Sequence, residues 1–239
     1  RLRCRIRTPT EQTRDAAWSR DGTRVITGNS SGDVVIFDST TGQRVASFHT
    51  FGMAAVSFSK SGRLVAVSTI AGTVETWDYS AGIRVAEYLG HTEPPRSLSF
   101  SPDDTLLVSG GPDRALKFWG TRAGVSASDV LKGHTDCVYS VAFNPSGTLV
   151  ASASFDGTVM LWDPATNLHV GTLRGHDGYV RSVAFSPDGR YAVTGGDDQS
   201  VRIWDVNERN QVRLLLGHTD QVLSVAWSPD GTTIAPASL

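Results

Sequence analysis

Three times along the 239-residue chain a histidine, a hydroxyl residue and an aspartate recur at near-fixed separations: His91, Ser109 and Asp113; His134, Ser152 and Asp156; His176, Thr194 and Asp198. These are the residue types of a hydrolytic triad, in which a carboxylate orients an imidazole that takes the proton of a nucleophilic hydroxyl. Repetition argues against that chemistry. A hydrolase needs one such set with an oxyanion hole beside it, and no stretch here resembles a nucleophile elbow. The six histidines are equally poor metal ligands. His49, His91, His134, His176 and His218 recur at steps of 42 or 43 residues, and no two or three sit at ligand spacing. His169 stands alone and reads as a solvent-facing strand residue. The expectation is a protein that is not an enzyme and carries no metal or cofactor.

A repeated unit must position these residues. Gly-His pairs at Gly90-His91, Gly133-His134, Gly175-His176 and Gly217-His218, with Phe48-His49 as a variant, mark a period of about forty residues. An aromatic follows each His by nine residues (Phe58, Phe100, Phe143, Phe185 and Trp227), and a Trp follows by twenty-eight (Trp77, Trp119, Trp162 and Trp204). The first unit keeps the frame with Pro9, Trp18 and Phe37. Within one unit, alternating apolar runs at VYSVAF, TLVASAS, TVMLWD and HVGTLRG predict four strands. Turn signals fall between them, such as Asn144-Pro145-Ser146-Gly147 and Phe155-Asp156-Gly157. The units cover 9–48, 49–90, 91–133, 134–175, 176–217 and a partial 218–239, in one expected domain.

The Gly-His, the Ser186-Pro187-Asp188-Gly189 hairpin and the closing Trp-Asp pairs (Trp77-Asp78, Trp162-Asp163, Trp204-Asp205) resemble the WD40-repeat family. That resemblance implies an all-β propeller of four-stranded antiparallel blades, here five full repeats and part of a sixth, with each sequence repeat straddling two blades. It also implies a structural relay of Asp, His, Ser or Thr, and Trp: Asp113, His91, Ser109 and Trp119; Asp156, His134, Ser152 and Trp162; Asp198, His176, Thr194 and Trp204. In such a relay each buried donor finds an acceptor. The second unit has Val67 and Ala71 where Ser and Asp are expected, so His49 is expected to lack partners. The first has Pro9, Ser31 and Phe37, with only Thr27 retained. Both are expected to be held mainly by packing and to be the softer part of the ring.

Propellers of this family dock partners at the narrow end of the ring, lined by the loop after each His and the turn before each Asp. Those positions hold Arg14, Arg96, Tyr139, Tyr179 and Arg181 in the loops, and Phe155 and Asp197 in the turns. Aromatics and arginines dominate binding hot spots. Tyr139, Phe155, Tyr179 and Arg181 come from neighbouring units and should form one patch. Arg14, Arg96 and Arg181 would ring the opening, where forked guanidinium groups suit an acidic or phosphorylated peptide. The alternative is that these are ordinary half-exposed strand-end residues.

A net charge of -2 and a pI near 6.3 supply no broad field for nucleic acid or an anionic membrane. Two cysteines, Cys4 and Cys137, are too few for a disulfide framework, which points to the cytoplasm or nucleus. The expected role is a scaffold or adaptor that binds proteins or peptides. A substrate-recognition subunit of a modifying complex such as a ubiquitin ligase, or the sensor end of a larger protein, would share the fold. The segment RLRCRIR reads as a closing outer strand over 1–8, and Thr121–Asp129 as a loop insert. The last unit has two strands, so either six blades close with one defective or the chain is a fragment of a seven-bladed ring. An open ring would expose an edge that favours self-association.

Overall fold

A computed structural model describes residues 13–121 and 130–239, so the expected closing strand, Cys4, Pro9 and most of the insert lie outside the described residues. The described chain is all β, with 22 strands and no helix. Each sheet takes its strands in sequence order. The first sheet holds β1 (Thr13–Trp18), β2 (Arg24–Asn29), β3 (Asp33–Asp38) and β4 (Arg44–His49). The second holds β5 (Ala55–Phe58), β6 (Leu64–Ser68), β7 (Val74–Asp78) and β8 (Ile83–Tyr88). The third holds β9 (Ser97–Phe100), β10 (Leu106–Gly110), β11 (Ala115–Gly120) and β12 (Val130–Lys132). In the fourth are β13 (Val138–Phe143), β14 (Val150–Ser154), β15 (Thr158–Asp163) and β16 (Leu168–Arg174). The fifth contains β17 (Val180–Phe185), β18 (Tyr191–Gly196), β19 (Val201–Asp205) and β20 (Asn210–Leu215), and the sixth only β21 (Val222–Trp227) and β22 (Ile234–Ser238).

The sequence of each strand matches its place in the sheet. Second strands such as β6 and β14 are buried almost end to end and are built from Val, Ala, Leu and Ser, because neighbouring sheets cover both faces. Fourth strands such as β8 and β20 are largely exposed and mix Arg, Glu and Gln with their hydrophobes, which leaves a charged edge unattractive for further pairing. The Ser-Pro-Asp-Gly hairpins close with a left-handed residue: Gly189 has φ 73°. In the third sheet Asp104 takes that conformation, with φ 58°, and its carboxylate accepts from Lys60 N at 2.5 Å and Ser61 N at 2.8 Å in the corresponding hairpin of the second sheet.

Hydrophobic cores lie between consecutive sheets. Ile26, Val34 and Ile36 pack on Met53, Val56 and Phe58 between the first and second. Leu161 and Leu173 meet Val180, Val183 and Trp204 between the fourth and fifth. A second contact recurs where first strands are adjacent. Val56 N donates to Asp15 Oδ2 at 2.9 Å, Val183 N to Ser140 Oγ at 3.3 Å, and Val225 N to Ser182 Oγ at 3.1 Å. Side chains thus satisfy backbone donors within the first strands, where an unpaired buried N–H would be costly. The described residues gather into two compact units, the first reaching Ser109 with 119–121, the second comprising 110–118 and 130–239.

Candidate partner-docking surface

The relay positions of the fourth and fifth sheets are joined by short hydrogen bonds. His134 Nδ1 lies 2.7 Å from Asp156 Oδ2 and its Nε2 lies 2.7 Å from Ser152 Oγ, which accepts from Trp162 Nε1 at 2.8 Å. His176 makes the same pair of contacts, 3.0 Å to Asp198 and 2.7 Å to Thr194 Oγ1, and Trp204 Nε1 donates to that hydroxyl at 2.9 Å. A carboxylate only accepts, so Nδ1 carries the proton and Nε2 of the neutral ring takes the hydroxyl hydrogen. In the third unit His91 Nε2 is 2.7 Å from Ser109 Oγ, which accepts from Trp119 Nε1 at 2.8 Å, while Asp113 lies 4.0 Å from Lys117 Nζ.

The chemistry of these sites is set by burial. Ser109, Ser152 and Thr194 have no exposed surface, so each hydroxyl is sealed from any substrate although its geometry imitates a triad. Burial by itself would raise the Asp198 carboxyl, but hydrogen bonds from His176, Ser200 and the Asp177 N–H outweigh it and hold it at about 2. The same balance, with His134 and Thr158 as donors, holds Asp156 well below the usual carboxylate range. Burial pushes His176 down from its ordinary value, against the pull of Asp198, and favours the neutral ring. Among the described residues no group of three His, Cys, Asp or Glu side chains could hold a metal ion, and no helix is long and apolar enough to cross a membrane.

The first two sheets correct the expectation of lost partners. His49, which ends β4, has Asp33 Oδ1 at 3.1 Å, because the β3–β4 register sets these two residues opposite each other. The second sheet has exchanged its relay for another polar group. Trp77 Nε1 donates to Glu75 Oε2 at 2.8 Å, and Arg84 Nη1 donates to the other Glu75 oxygen at 3.0 Å. Glu75 and Arg84 were not anticipated; the signal was an acid two residues before Trp77, where the other units hold Val35, Lys117, Met160 and Arg202. Packing contributes beside it, since Phe48 stacks on Trp77 with centroids 4.5 Å apart. His169 is an exposed strand residue, hydrogen-bonded to Thr172 and edge-on to Trp162.

The loop and turn positions share one end of each sheet for a specific reason. The register of β13 with β14 skips Tyr139 between Val138 and Ser140, and β17 skips Arg181 between Val180 and Ser182. Arg14 is skipped in the same way in β1. A bulge takes its extra residue out of the ladder and re-aims the side chain, here toward the neighbouring turn. Tyr139 therefore stacks on Phe155 at 5.0 Å, and Tyr179 from the next loop covers the other face of Phe155 at 4.3 Å. Arg181 lies 5.6 Å from the Tyr139 ring and 5.3 Å from the Phe155 ring. Tyr179 is 43% exposed, Tyr139 and Phe155 are half-buried, and a shallow groove of about 290 Å³ opens beside Phe155, Asp156 and Tyr179.

Arg181 differs from the expectation of an open anion site. Both of its forks engage Asp197, with Nη2 3.0 Å from Oδ2 and Nε close to Oδ1. The carboxylate it was expected to take from a ligand is already supplied by the adjacent turn. Arg14 and Arg96 are exposed, and among the described residues neither pairs with a carboxylate. Both belong to the first unit.

Sheets of four short antiparallel strands in sequence order, packed face to face and pinned by buried His–hydroxyl–Trp links, define a blade-built repeat protein whose exposed chemistry lies in its loops. The repeat model described as WD domain, G-beta repeat matches residues 82–120, 126–163, 167–205 and 209–238, over half the chain, and the chain belongs to this WD40 family. Each matched segment begins on the fourth strand of one sheet and runs into the next, so the family repeat straddles two blades. The chain is 30% identical over 121 residues to apoptotic protease-activating factor 1 of Danio rerio, covering 49% of this chain and 10% of that protein. It is 33% identical over 111 residues to WD repeat-containing protein SL1-17 of Schistosoma mansoni, 45% of this chain and 36% of that protein. A guanine nucleotide-binding protein subunit beta of Zea mays is 32% identical over 111 residues, 43% and 29% respectively. The chain thus spans between about a tenth and a third of the length of these relatives. Its general role is that of a protein-interaction scaffold, as is usual for a family whose members are generally non-catalytic.

Proposed function

We propose that this protein is a cytoplasmic or nuclear adaptor that docks a peptide or protein on the loop-and-turn end of its blades, with Phe155 and Tyr179 as anchors. The observation that carries the reading is the half-exposed stack Tyr139–Phe155–Tyr179, assembled from two neighbouring blades and edged by Arg181. Rigid aromatics in a groove bury large area at small entropic cost, which is the character of binding hot spots. Because Asp197 neutralises Arg181, this stack suits an apolar or aromatic segment, and the acidic or phosphorylated part of a ligand is recognised elsewhere. A second reading, the sensor module of a larger protein, is favoured by the match to a tenth of zebrafish apoptotic protease-activating factor 1.

The test is affinity purification with mass spectrometry on wild type and on Phe155→Ala/Tyr179→Ala. At least one partner captured by the wild type is absent from the variant, whose melting midpoint stays close to wild type. An unchanged set of partners overturns the reading.

A further inference from the structure

The units with an arginine five residues after the His position carry different turn residues beside it. In the fifth, Asp197 occupies the fork of Arg181. In the first, the pairing of Thr13 with Asn29 sets Arg14 next to Ser30, and the third unit has Pro112 at the equivalent position for Arg96. Neither Ser30 nor Pro112 carries a charge. Among the described residues two exposed guanidinium groups therefore remain without a carboxylate, and both lie in the first compact unit.

Between them the end of the second sheet is apolar. Phe51 is 73% exposed and Ile70 is 51% exposed. Ile70 lies over Gly52, where an added Cβ would come within 2.7 Å of its Cδ1, so the two hydrophobes share one surface. The third-unit loop closes on this turn from the other side, with Ser68 Oγ donating to Pro95 O at 2.8 Å, immediately before Arg96. By the shared frame Arg96 stands to Ile70 as Arg181 stands to Phe155, a pair 5.3 Å apart. On the near side Thr50 N donates to Gly32 O at 2.9 Å, which brings the Phe51 backbone to the turn beside Arg14. Glu93, exposed in the third-unit loop, pairs with neither arginine, and Asp33 on the near side is engaged by His49 at 3.1 Å.

We propose that this surface binds an acidic peptide segment bearing one large hydrophobic side chain. The hydrophobe rests on Phe51 and Ile70, and Asp or Glu carboxylates flanking it pair with Arg14 and Arg96. The reading rests on the general docking role above but not on the aromatic stack of the fourth and fifth sheets. Forked guanidinium groups recognise carboxylates bidentately, and an apolar anchor between them fixes the register of the chain. In the second repeat Ala71 stands at the relay Asp position, so that turn contributes no carboxylate of its own.

Short fluorescein-labelled peptides test the proposal by anisotropy: a central Phe flanked by Glu on both sides, the same peptide with Lys for every Glu, and one with Ser for Phe. The Glu–Phe peptide binds tightest to wild type. Its affinity falls about tenfold in Arg14→Glu/Arg96→Glu, the sum of two exposed ion pairs. Tyr179→Ala leaves it unchanged, and the Ile70 methyl resonance shifts on titration. Equal binding of the Glu and Lys peptides, no measurable binding of either at millimolar concentration, or an unaffected double arginine variant with a wild-type melting midpoint overturns the proposal. Binding abolished by Tyr179→Ala overturns it too and places the ligand on the aromatic stack, leaving the docking reading standing.

Discussion

Ser152 shows how one hydroxyl carries two buried groups. It takes Trp162 Nε1 and His134 Nε2 at once, so Ser152→Ala leaves both without a partner. Each costs roughly 1–3 kcal/mol, and the variant is expected to lose about 2–6 kcal/mol in urea unfolding. A loss under about 1 kcal/mol would show that water replaces the hydroxyl. Acid has a defined sign at the neighbouring relay. His176 lies below its ordinary 6.5 in the fold, so the native state resists its protonation, and this contribution is full above 6.5 and declines as pH falls beneath it. Asp198, held at about 2 against an ordinary 3.8, contributes fully above 3.8 and loses that contribution as pH drops through 2. Both act in the same direction, so the melting midpoint falls as pH is lowered below 6.5, driven first by His176. A midpoint that is flat or rising over that fall in pH contradicts the account.

The second sheet is where a repeat frame was kept and its chemistry replaced. Position twenty-eight still holds Trp77, but its indole turns to Glu75 on its own strand, and Arg84 of β8 balances the charge. Glu75→Ala removes the acceptor and is expected to cost about 1–3 kcal/mol, whereas Glu75→Gln retains an acceptor for the indole and costs less. Chemical unfolding followed by Trp fluorescence separates the two; equal losses would assign the effect to packing alone. The five-residue loop position shows the other side of element-scale control. The unit sequence places Tyr139 and Arg181 at the end of a strand, but the bulge that carries them across to Phe155 and Asp197 arises from pairing with the next strand.

At the scale of the molecule, anchoring and charge are distributed over different blades. The aromatic stack sits in one compact unit with its arginine internally paired, whereas Arg14 and Arg96, which pair with no carboxylate among the described residues, belong to the other. Because Phe155 and Tyr179 are surface-stacked, Phe155→Ala/Tyr179→Ala is expected to change the melting midpoint little while weakening partner binding at least about tenfold. Isothermal titration with a captured partner checks this, and equal affinities would make the stack a structural feature of the blade edge.

Sequence periodicity determined the all-β fold and the number of strands per unit, while the relay and docking roles of particular positions came from the resemblance to the WD40 family. Its warrant is physical: alternation buries one face, turn residues close each hairpin, and a repeated offset means a repeated environment. It could not determine partner choice within that environment. Whether Arg181 meets a ligand or Asp197, whether His49 is alone or opposite Asp33, and whether Trp77 keeps an acceptor all depend on side-chain distances set by strand register and by bulges. Those distances belong to the folded sheets, and only the tertiary structure decided them.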